Sequence, residues 1–350
     1  MSIFLLLLLI IGIKDAEFGR QRDSENCLSV PASGAVKGLF TILILFSHFA
    51  SGITRQPLDS TYFLIRSHLD QAVVIPYLFF SGYGMATALN QKGTAYLRTI
   101  MTRRIPRLLL GMAAALACYW VLGLVQGRSY APDTILLSLV GWANMGNSNW
   151  YIFGILGAYI AFWLAFQPLR LKDSPWIRML CLLLTGALMT AFVLWIRRMD
   201  RPVYCYNTLL VFPMGVAWGL YHRKLSSLLH GNDVLWLLGL LLAMTVYRYS
   251  FLRRGTSLTW YTVWCAAFTA VLVLLLMRVR LGSPVLRFFG NHVFSIYILQ
   301  RIPMRILGDH GWPQLTPYTG LILVLVSTCL MAVAFDWAMK WVYQKLHLGK

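Results

Sequence analysis

The sequence predicts an all-α, polytopic integral membrane protein with about 10–11 transmembrane helices. Of its 350 residues, 58% are hydrophobic and 12% are charged, whereas soluble domains are roughly 45–50% apolar and about a quarter charged. The mean hydropathy is +0.64, and the apolar residues gather into runs that approach the roughly 20 residues a spanning helix needs. The 13 tryptophans and 17 tyrosines suit the two lipid–water boundaries, where these side chains concentrate.

The apolar runs are distributed along the whole chain. The first run, 2–13, is short, and we expect a short or tilted helix in preference to a signal peptide, because no basic segment precedes it. A weaker stretch at 134–146 is a candidate re-entrant segment. The remaining candidate spans lie near 38–53, 72–90, 108–125, 149–168, 179–196, 206–221, 234–247, 258–277, 288–307 and 318–340.

The chain is strongly basic, with 31 Lys and Arg against 12 Asp and Glu and a net charge of +19. These residues fall mainly between apolar runs, so they predict membrane topology and contact with anionic lipid, and not nucleic-acid binding. The segment from Lys92 to Arg107 contains five basic residues and no acid, which places it in the cytoplasm together with the C-terminus. Counting spans from there, we expect 14–37, 169–178, 222–233 and 278–287 to be cytoplasmic, and 54–71, 126–148, 197–205, 248–257 and 308–317 to face outward.

Two of the expected outer loops are also basic, and this leaves a second interpretation open. Arg197, Arg198 and Arg201 lie in one of them, and Arg248, Arg253 and Arg254 lie in the other. Such residues weaken the topology argument or indicate an anionic ligand near the outer face. The six cysteines form no CxxC pair and lie mostly in apolar runs, so we expect neither a disulfide framework nor a metal site.

An ionisable pair lies in the first long apolar run. Lys37 and His48 are eleven residues apart, which places them on one helix face about 16 Å apart along the axis. Ionisable groups inside a span are costly and usually face a polar interior that serves function, and histidine is the side chain best able to exchange a proton near neutral pH. On position alone, a histidine hydrogen-bonded to a neighbouring helix is an equally good interpretation.

A second basic group precedes the run at 108–125. Arg104 and Arg107 are three residues apart and are expected to share a helix face, while Pro106 suits the first helical turn. Paired guanidinium groups at a helix start bind phosphate oxygens well. An ordinary cytoplasmic anchor explains the same residues and is the stronger interpretation when the motif is taken alone.

Three further segments combine small, polar and aromatic residues within apolar runs. The segment 79–85 contains Ser81 and Tyr83, which could line a polar cavity, although small residues also allow close helix packing. Asn149 and Trp150 lie at the mouth of the span at 149–168, and Tyr297 lies in the span at 288–307. Each of these segments, taken alone, is also typical of an interfacial aromatic belt.

In this order and at these distances, the five segments resemble the acyltransferase 3 family of membrane O-acyltransferases. That family carries an Arg or Lys, ten residues and then a His in its first conserved helix, followed by an FFFLSGY-like segment, an Arg-x-x-Arg motif, a Trp-Tyr span and a final Ser-Tyr-x-Ile-Tyr-Leu-x-His-like segment. The matching positions here are Lys37 and His48, 79–84, Arg104 and Arg107, 150–153, and 290–300. Gly34 replaces an acid that is frequent in the family, and Gln300 replaces the final His.

The resemblance implies a domain organisation. Residues 1–33 would form a short apolar helix and a cytoplasmic segment, 34–340 a membrane-embedded acyltransferase domain, and 341–350 a basic C-terminal tail. The protein would be a multi-pass protein of the inner (cytoplasmic) cell membrane, with the lipid bilayer as one partner and no nucleic acid among the others.

The resemblance also implies an activity and roles for site residues. An acyl group, most often acetyl, would pass from acyl-CoA (acetyl-CoA as co-substrate) to a hydroxyl of a cell-surface polysaccharide or another carbohydrate acceptor, free or lipid-linked, without a tightly bound cofactor or metal. Lys37, Arg104 and Arg107 would bind the donor, and His48 would act as general base. The expected cavity-lining residues are Ser81, Tyr83, Asn149, Trp150 and Tyr297.

A multi-span transporter or flippase for a lipid-linked glycan, without acyl-transfer chemistry, is the alternative. It would account for the spans, the intramembrane histidine and the basic groups. It does not account for the ordered motifs, and it predicts an internal repeat, of which the sequence shows no sign.

Overall fold

The fold is a bundle of helices, seen in a computed structural model that describes residues 1–19, 28–52, 59–310 and 315–348. Of the described residues, 81% are helical, which confirms the predicted all-α class. In chain order the helices are α1 (Ser2–Lys14), α2 (Val30–Ala50), α3 (Ser60–Leu69), α4 (Ile75–Lys92), α5 (Ala95–Thr99), α6 (Ile105–Val125), α7 (Pro132–Leu139), α8 (Trp150–Ala165), α9 (Pro175–Arg198), α10 (Val211–Gly231), α11 (Asp233–Arg253), α12 (Leu258–Leu276), α13 (Pro284–Asn291), α14 (Val293–Leu299), α15 (Arg301–His310) and α16 (Pro317–Lys345).

Eight helical segments of the described chain are long and apolar enough to cross a membrane. Three of the other predicted spans take a different form. The run 288–307 is divided among α13, α14 and α15, with breaks at His292 and Gln300. The run 206–221 begins within a turn and continues into α10, whose second half is polar, and α1 has only 13 residues.

Two three-residue strands, β1 (Ala16–Phe18) and β2 (Val279–Leu281), pair in antiparallel fashion. The pairing continues through the Gly282 amide, which donates to the Asp15 carbonyl at 3.1 Å. This pairing ties the segment that follows α1 to the connection between α12 and α13.

Contacts between loops show which loops lie at the same end of the bundle. At the end that contains Lys92, Arg178 donates to Asn90 at 2.5 Å and Arg278 pairs with Asp233 at 2.7 Å. At the opposite end, which contains His48, Arg254 lies 3.7 Å from Asp70, Arg201 donates to the Trp142 carbonyl, and Arg305 donates to Gln126. This division into a Lys92 end and a His48 end agrees with the loop grouping expected from the sequence.

Glycines allow two helix pairs to touch backbone to backbone. Between α2 and α13, a Cβ added to Gly38 would lie 1.8 Å from the Leu286 carbonyl oxygen, and one added to Gly290 would lie 1.9 Å from the Gly34 oxygen. Between α4 and α10, a Cβ on Gly82 would lie 2.2 Å from the Phe212 oxygen. Small residues are the usual means of such close approach between helices in membranes, so α2 has a fixed position beside α13.

We expect Gly38→Ala to destabilise the protein by about 1–3 kcal/mol, because the added methyl group must push α2 away from the Leu286 carbonyl. Gly34→Ala is the matched control, since a Cβ at that position meets nothing within 4 Å and alanine is the better helix former. The melting temperatures of the two purified variants test this expectation. A loss of stability in the control equal to that in Gly38→Ala would contradict the packing explanation.

Candidate active site

A pocket of about 190 Å³ lies at the His48 end of the bundle. It is bounded by the last turn of α2, the first two turns of α15 and the non-helical segment 140–149 that precedes α8. The residues that line it are His48, Phe49, Gly52, Gly146, Arg301, Met304 and Arg305. Three of these side chains are basic and, among the described residues, none is a carboxylate.

His48 reaches this pocket from the last turn of α2, which ends at Ala50. Its Nδ1 atom is buried and has no hydrogen-bond partner among the described residues. Arg301 and Arg66 are its charged neighbours. A buried polar atom without a partner costs roughly 1–3 kcal/mol, and a purely structural histidine would be expected to avoid that cost. The geometry therefore favours an exchangeable partner, such as a hydroxyl group in the pocket.

Gln300 is the protein neighbour best placed to orient the imidazole. It is fully buried at the junction of α14 and α15, and its Nε2 donates to the Tyr297 carbonyl at 3.1 Å. Its side chain interacts with His48, although its Oε1 has no partner at conventional hydrogen-bonding distance within the described chain. The amide can thus act on the imidazole by hydrogen bonding, but, unlike a histidine, it cannot take up a proton.

Two arginines that sequence analysis did not single out complete this end of the site. Arg301 and Arg305 are four residues apart on α15 and therefore share one helix face. The Nε of Arg301 donates to Ser148 Oγ at 3.1 Å, and the Arg305 guanidinium donates to the Met145 carbonyl at 2.8 Å and to Gln126 at 2.6 Å. The i, i+4 spacing directly after Gln300 is the sequence signal that could have indicated them.

A second basic site lies deep in the bundle toward the Lys92 end. The Arg104 guanidinium donates to the hydroxyl groups of Tyr96, at 2.8 Å, and Tyr159, at 3.1 Å, and lies 4.5 Å from the centre of the Tyr159 ring. Arg104 is also the charged neighbour of Lys37. Within the described chain neither cation has an ion-pair partner, so the two form a site suited to an anion.

A column of tyrosines occupies the interior between the two basic sites. Tyr151 lies two helical turns from Tyr159 on α8, and its ring centre is 6.3 Å from that of Tyr77 and 6.1 Å from that of Tyr297. The Tyr77 hydroxyl donates to the Lys37 carbonyl at 2.8 Å. The column therefore begins beside Arg104 and Lys37, and it ends one turn before Arg301.

Comparison with known proteins assigns the chain to a family. The model of a family described as an acyltransferase domain matches residues 32–341, which is nearly the whole chain. The chain belongs to the acyltransferase 3 family. No curated protein and no solved structure shows significant similarity. The protein is thus a membrane acyltransferase with several membrane-spanning helices.

Only some residues of the acyltransferase 3 motifs lie close to one another in the structure. Lys37 and Arg104 are neighbours, but Arg107 faces α16, where its guanidinium lies 5.2 Å from the Tyr343 ring centre and its carbonyl accepts from the Tyr343 hydroxyl at 3.0 Å. A wider helical turn at Ile100–Arg104 precedes α6. The two arginines that the motif pairs in sequence therefore contact different helices.

The other predicted lining residues of this acyltransferase fall into two groups. Ser81 interacts with Tyr151, and the Trp150 ring centre lies 6.1 Å from that of Tyr151, so these two adjoin the tyrosine column, to which Tyr297 itself belongs. Tyr83 instead stacks on Phe79 and faces His222 of α10.

Asn149 holds the loop that forms one wall of the pocket. Its side chain donates to the Ala143 carbonyl at 2.5 Å, and it is buried. Within the described residues, no group of three or more His, Cys, Asp or Glu side chains is placed to hold a metal ion. The family motifs provide His48, the basic site at Lys37 and Arg104 and most of the aromatic interior, whereas Arg301 and Arg305, just after the last motif, provide the second basic site.

Proposed function

We propose that this acyltransferase transfers an acyl group, most simply acetyl, from acyl-CoA to a hydroxyl of a cell-surface polysaccharide or another glycan. One observation carries the proposal: α2 alone brings Lys37 to the basic site beside Arg104 and His48 to the pocket at the other end. The two side chains are about 16 Å apart along the helix, with the tyrosine column between them. The Lys92 end then lies on the cytoplasmic side of the inner membrane, where acyl-CoA is available.

The order of the chemical groups along the donor matches the order of the two basic sites. Acyl-CoA carries its phosphates at one end and its thioester at the tip of a flexible pantetheine arm. Lys37 and Arg104 would bind phosphate oxygens through charge-assisted hydrogen bonds, which are the strong ones in proteins. The arm would extend along Tyr151 and Tyr297 and bring the thioester to the imidazole of His48.

His48 would act as a general base. Its imidazole accepts the proton of the acceptor hydroxyl as the oxygen attacks the thioester carbonyl, and a new C–O bond forms. The tetrahedral intermediate then collapses, the C–S bond breaks, and the imidazolium returns its proton to the departing CoA sulfur. Gln300 would hold the ring in the required orientation, and such general-base help is typically worth about 10²–10⁴ in rate.

Acyl transfer by the purified protein tests the proposal. We expect acetyl-CoA and an extract of surface glycans to yield free CoA and glycan species heavier by one acetyl unit, detected by mass spectrometry. Propionyl-CoA and palmitoyl-CoA, supplied in parallel, identify the preferred acyl length. Cells that lack the protein should lose the same mass increment. CoA release without any acylated glycan, from every donor, would exclude a glycan acceptor.

A further inference from the structure

The pocket beside His48 concentrates positive charge at an unexpected end of the molecule. Arg301 and Arg305 line it, and Arg66, which donates to Ser47 at 3.0 Å, is a third guanidinium that acts on His48. In the proposed orientation this is the outer end, where the usual excess of Lys and Arg in cytoplasmic loops provides no explanation. The presence of these arginines at this end therefore requires an explanation other than membrane topology.

Other basic residues at the same end have partners within the protein. Arg201 lies 4.5 Å from the Trp142 ring centre and donates to its carbonyl. Arg253 lies 4.5 Å from the Tyr249 ring centre, and Arg254 pairs with Asp70. Contacts of this kind occupy Arg201, Arg253 and Arg254 away from the pocket. Arg301 and Arg305 also contact the protein, but they line the pocket itself.

The free donors of these two arginines point to a ligand. Within the described residues, Arg301 uses its Nε–H for Ser148, while both of its Nη groups make no hydrogen bond. Arg305 uses one N–H from each Nη, for Met145 and Gln126. A guanidinium with two free Nη groups is suited to bidentate binding of a carboxylate or phosphate.

The loop opposite holds these side chains in place before any ligand arrives. Gly146 has φ +94°, a conformation that favours glycine, and a Cβ added to it would lie 2.2 Å from Arg305 Nη1. The loop thus passes directly against the guanidinium. A preformed, partly enclosed cationic site of this kind loses little conformational entropy on binding an anion.

We propose that the acyl acceptor carries an anionic group, a carboxylate or a phosphate, which binds Arg301 and Arg305 while a neighbouring hydroxyl reaches His48. This inference rests on the proposed function and narrows it to charged saccharides, such as those that contain uronic acid or sugar phosphate. The pocket of about 190 Å³ accommodates the reacting part of one sugar unit, and the rest of the acceptor extends outside.

Direct binding of matched sugars to the purified full chain tests the inference without requiring acyl transfer. Methyl glucuronide and methyl glucoside differ in one carboxylate, and glucose 6-phosphate supplies the phosphate arm. We expect at least one charged sugar to bind about tenfold or more tightly than the glucoside, and Arg301→Gln to remove most of that preference. Arg248→Gln is the matched control, since it removes one exposed positive charge at the same end outside the pocket.

Three outcomes would overturn the inference. One is equal or absent binding of the charged and neutral sugars. A second is Arg301-dependent binding of dihexanoyl phosphatidylglycerol without binding of either charged sugar, which would assign the site to a lipid headgroup. The third is an Arg301→Gln variant that binds sugars normally but transfers acyl groups more slowly to charged and neutral acceptors alike, which would assign Arg301 to the reacting centre. Failure of acyl transfer alone would contradict the proposed function and leave the binding result standing.

Discussion

Replacing His48 by glutamine should lower the rate of acyl transfer by about 10²- to 10⁴-fold, while stability and donor binding stay close to those of the parent. The reason is that glutamine retains a hydrogen-bonding side chain at the pocket but cannot take a proton from a hydroxyl. The buried Nδ1 of His48 has no hydrogen-bond partner among the described residues, and glutamine can still hydrogen-bond to Gln300, whose side chain interacts with the imidazole. Transfer rates and melting temperatures of the purified variant, measured side by side, provide the test.

His68→Gln serves as the control for this substitution. His68 lies at the same end, but it is exposed, stacks on Phe251 with ring centres 5.0 Å apart, and contacts the Leu64 carbonyl through Nδ1. Its loss should leave transfer unchanged. If His48→Gln retained full activity, or if its inactivity followed entirely from a lowered melting temperature, His48 would be a structural residue.

Replacing Arg104 by glutamine should weaken the binding of acetyl-CoA roughly 10- to 150-fold, which corresponds to the loss of about 1.5–3 kcal/mol from one charge-assisted hydrogen bond. Arg104 lies beside Lys37, where two cations can act on the same phosphate group. Arg107→Gln should have a smaller effect, because the guanidinium of Arg107 lies over Tyr343 of α16. Calorimetric titration with acetyl-CoA measures each affinity.

Arg103→Gln is the matched control, since it removes an exposed charge from the adjacent position. Because Arg104 also bonds to Tyr96 and Tyr159, Lys37→Gln provides a second variant that leaves those contacts intact and should weaken the donor similarly. A larger loss in Arg107→Gln than in Arg104→Gln would place the donor phosphates on the α16 side.

Hydropathy and charge were sufficient to predict the helical fold and the division of the loops into two ends. Long apolar runs have few alternatives in a membrane, because a helix satisfies every backbone hydrogen bond internally. The eleven-residue spacing of Lys37 and His48 likewise predicted that both lie on one face of α2, since helix periodicity alone determines which residues share a face. The breaks at His292 and Gln300 were missed because hydropathy averaged over a span-length window hides the two polar pairs, Asn291-His292 and Gln300-Arg301, at which the run 288–307 is interrupted.

The site residues whose positions the sequence did not predict are positioned by contacts between helices that are far apart in the sequence. Arg104 and Arg107 were expected on one face because residues three apart usually share one. The wider turn at Ile100–Arg104 and the aromatic partners Tyr159 and Tyr343 separate them instead. Arg301 became significant only once α15 was seen beside His48, since an arginine near the end of an apolar run is otherwise typical of a membrane anchor.

The segment 140–149 differs in character from the rest of the pocket wall. It is a loop held by Asn149, with left-handed backbone at Gly141 and Gly146, whereas His48 and Arg301 lie on helices. Loops tolerate insertion and sequence change far better than packed helices do. Enzymes that descend from one ancestor can therefore evolve specificity for a different sugar acceptor through changes in the sequence of this loop, while the residues that act on the thioester are conserved.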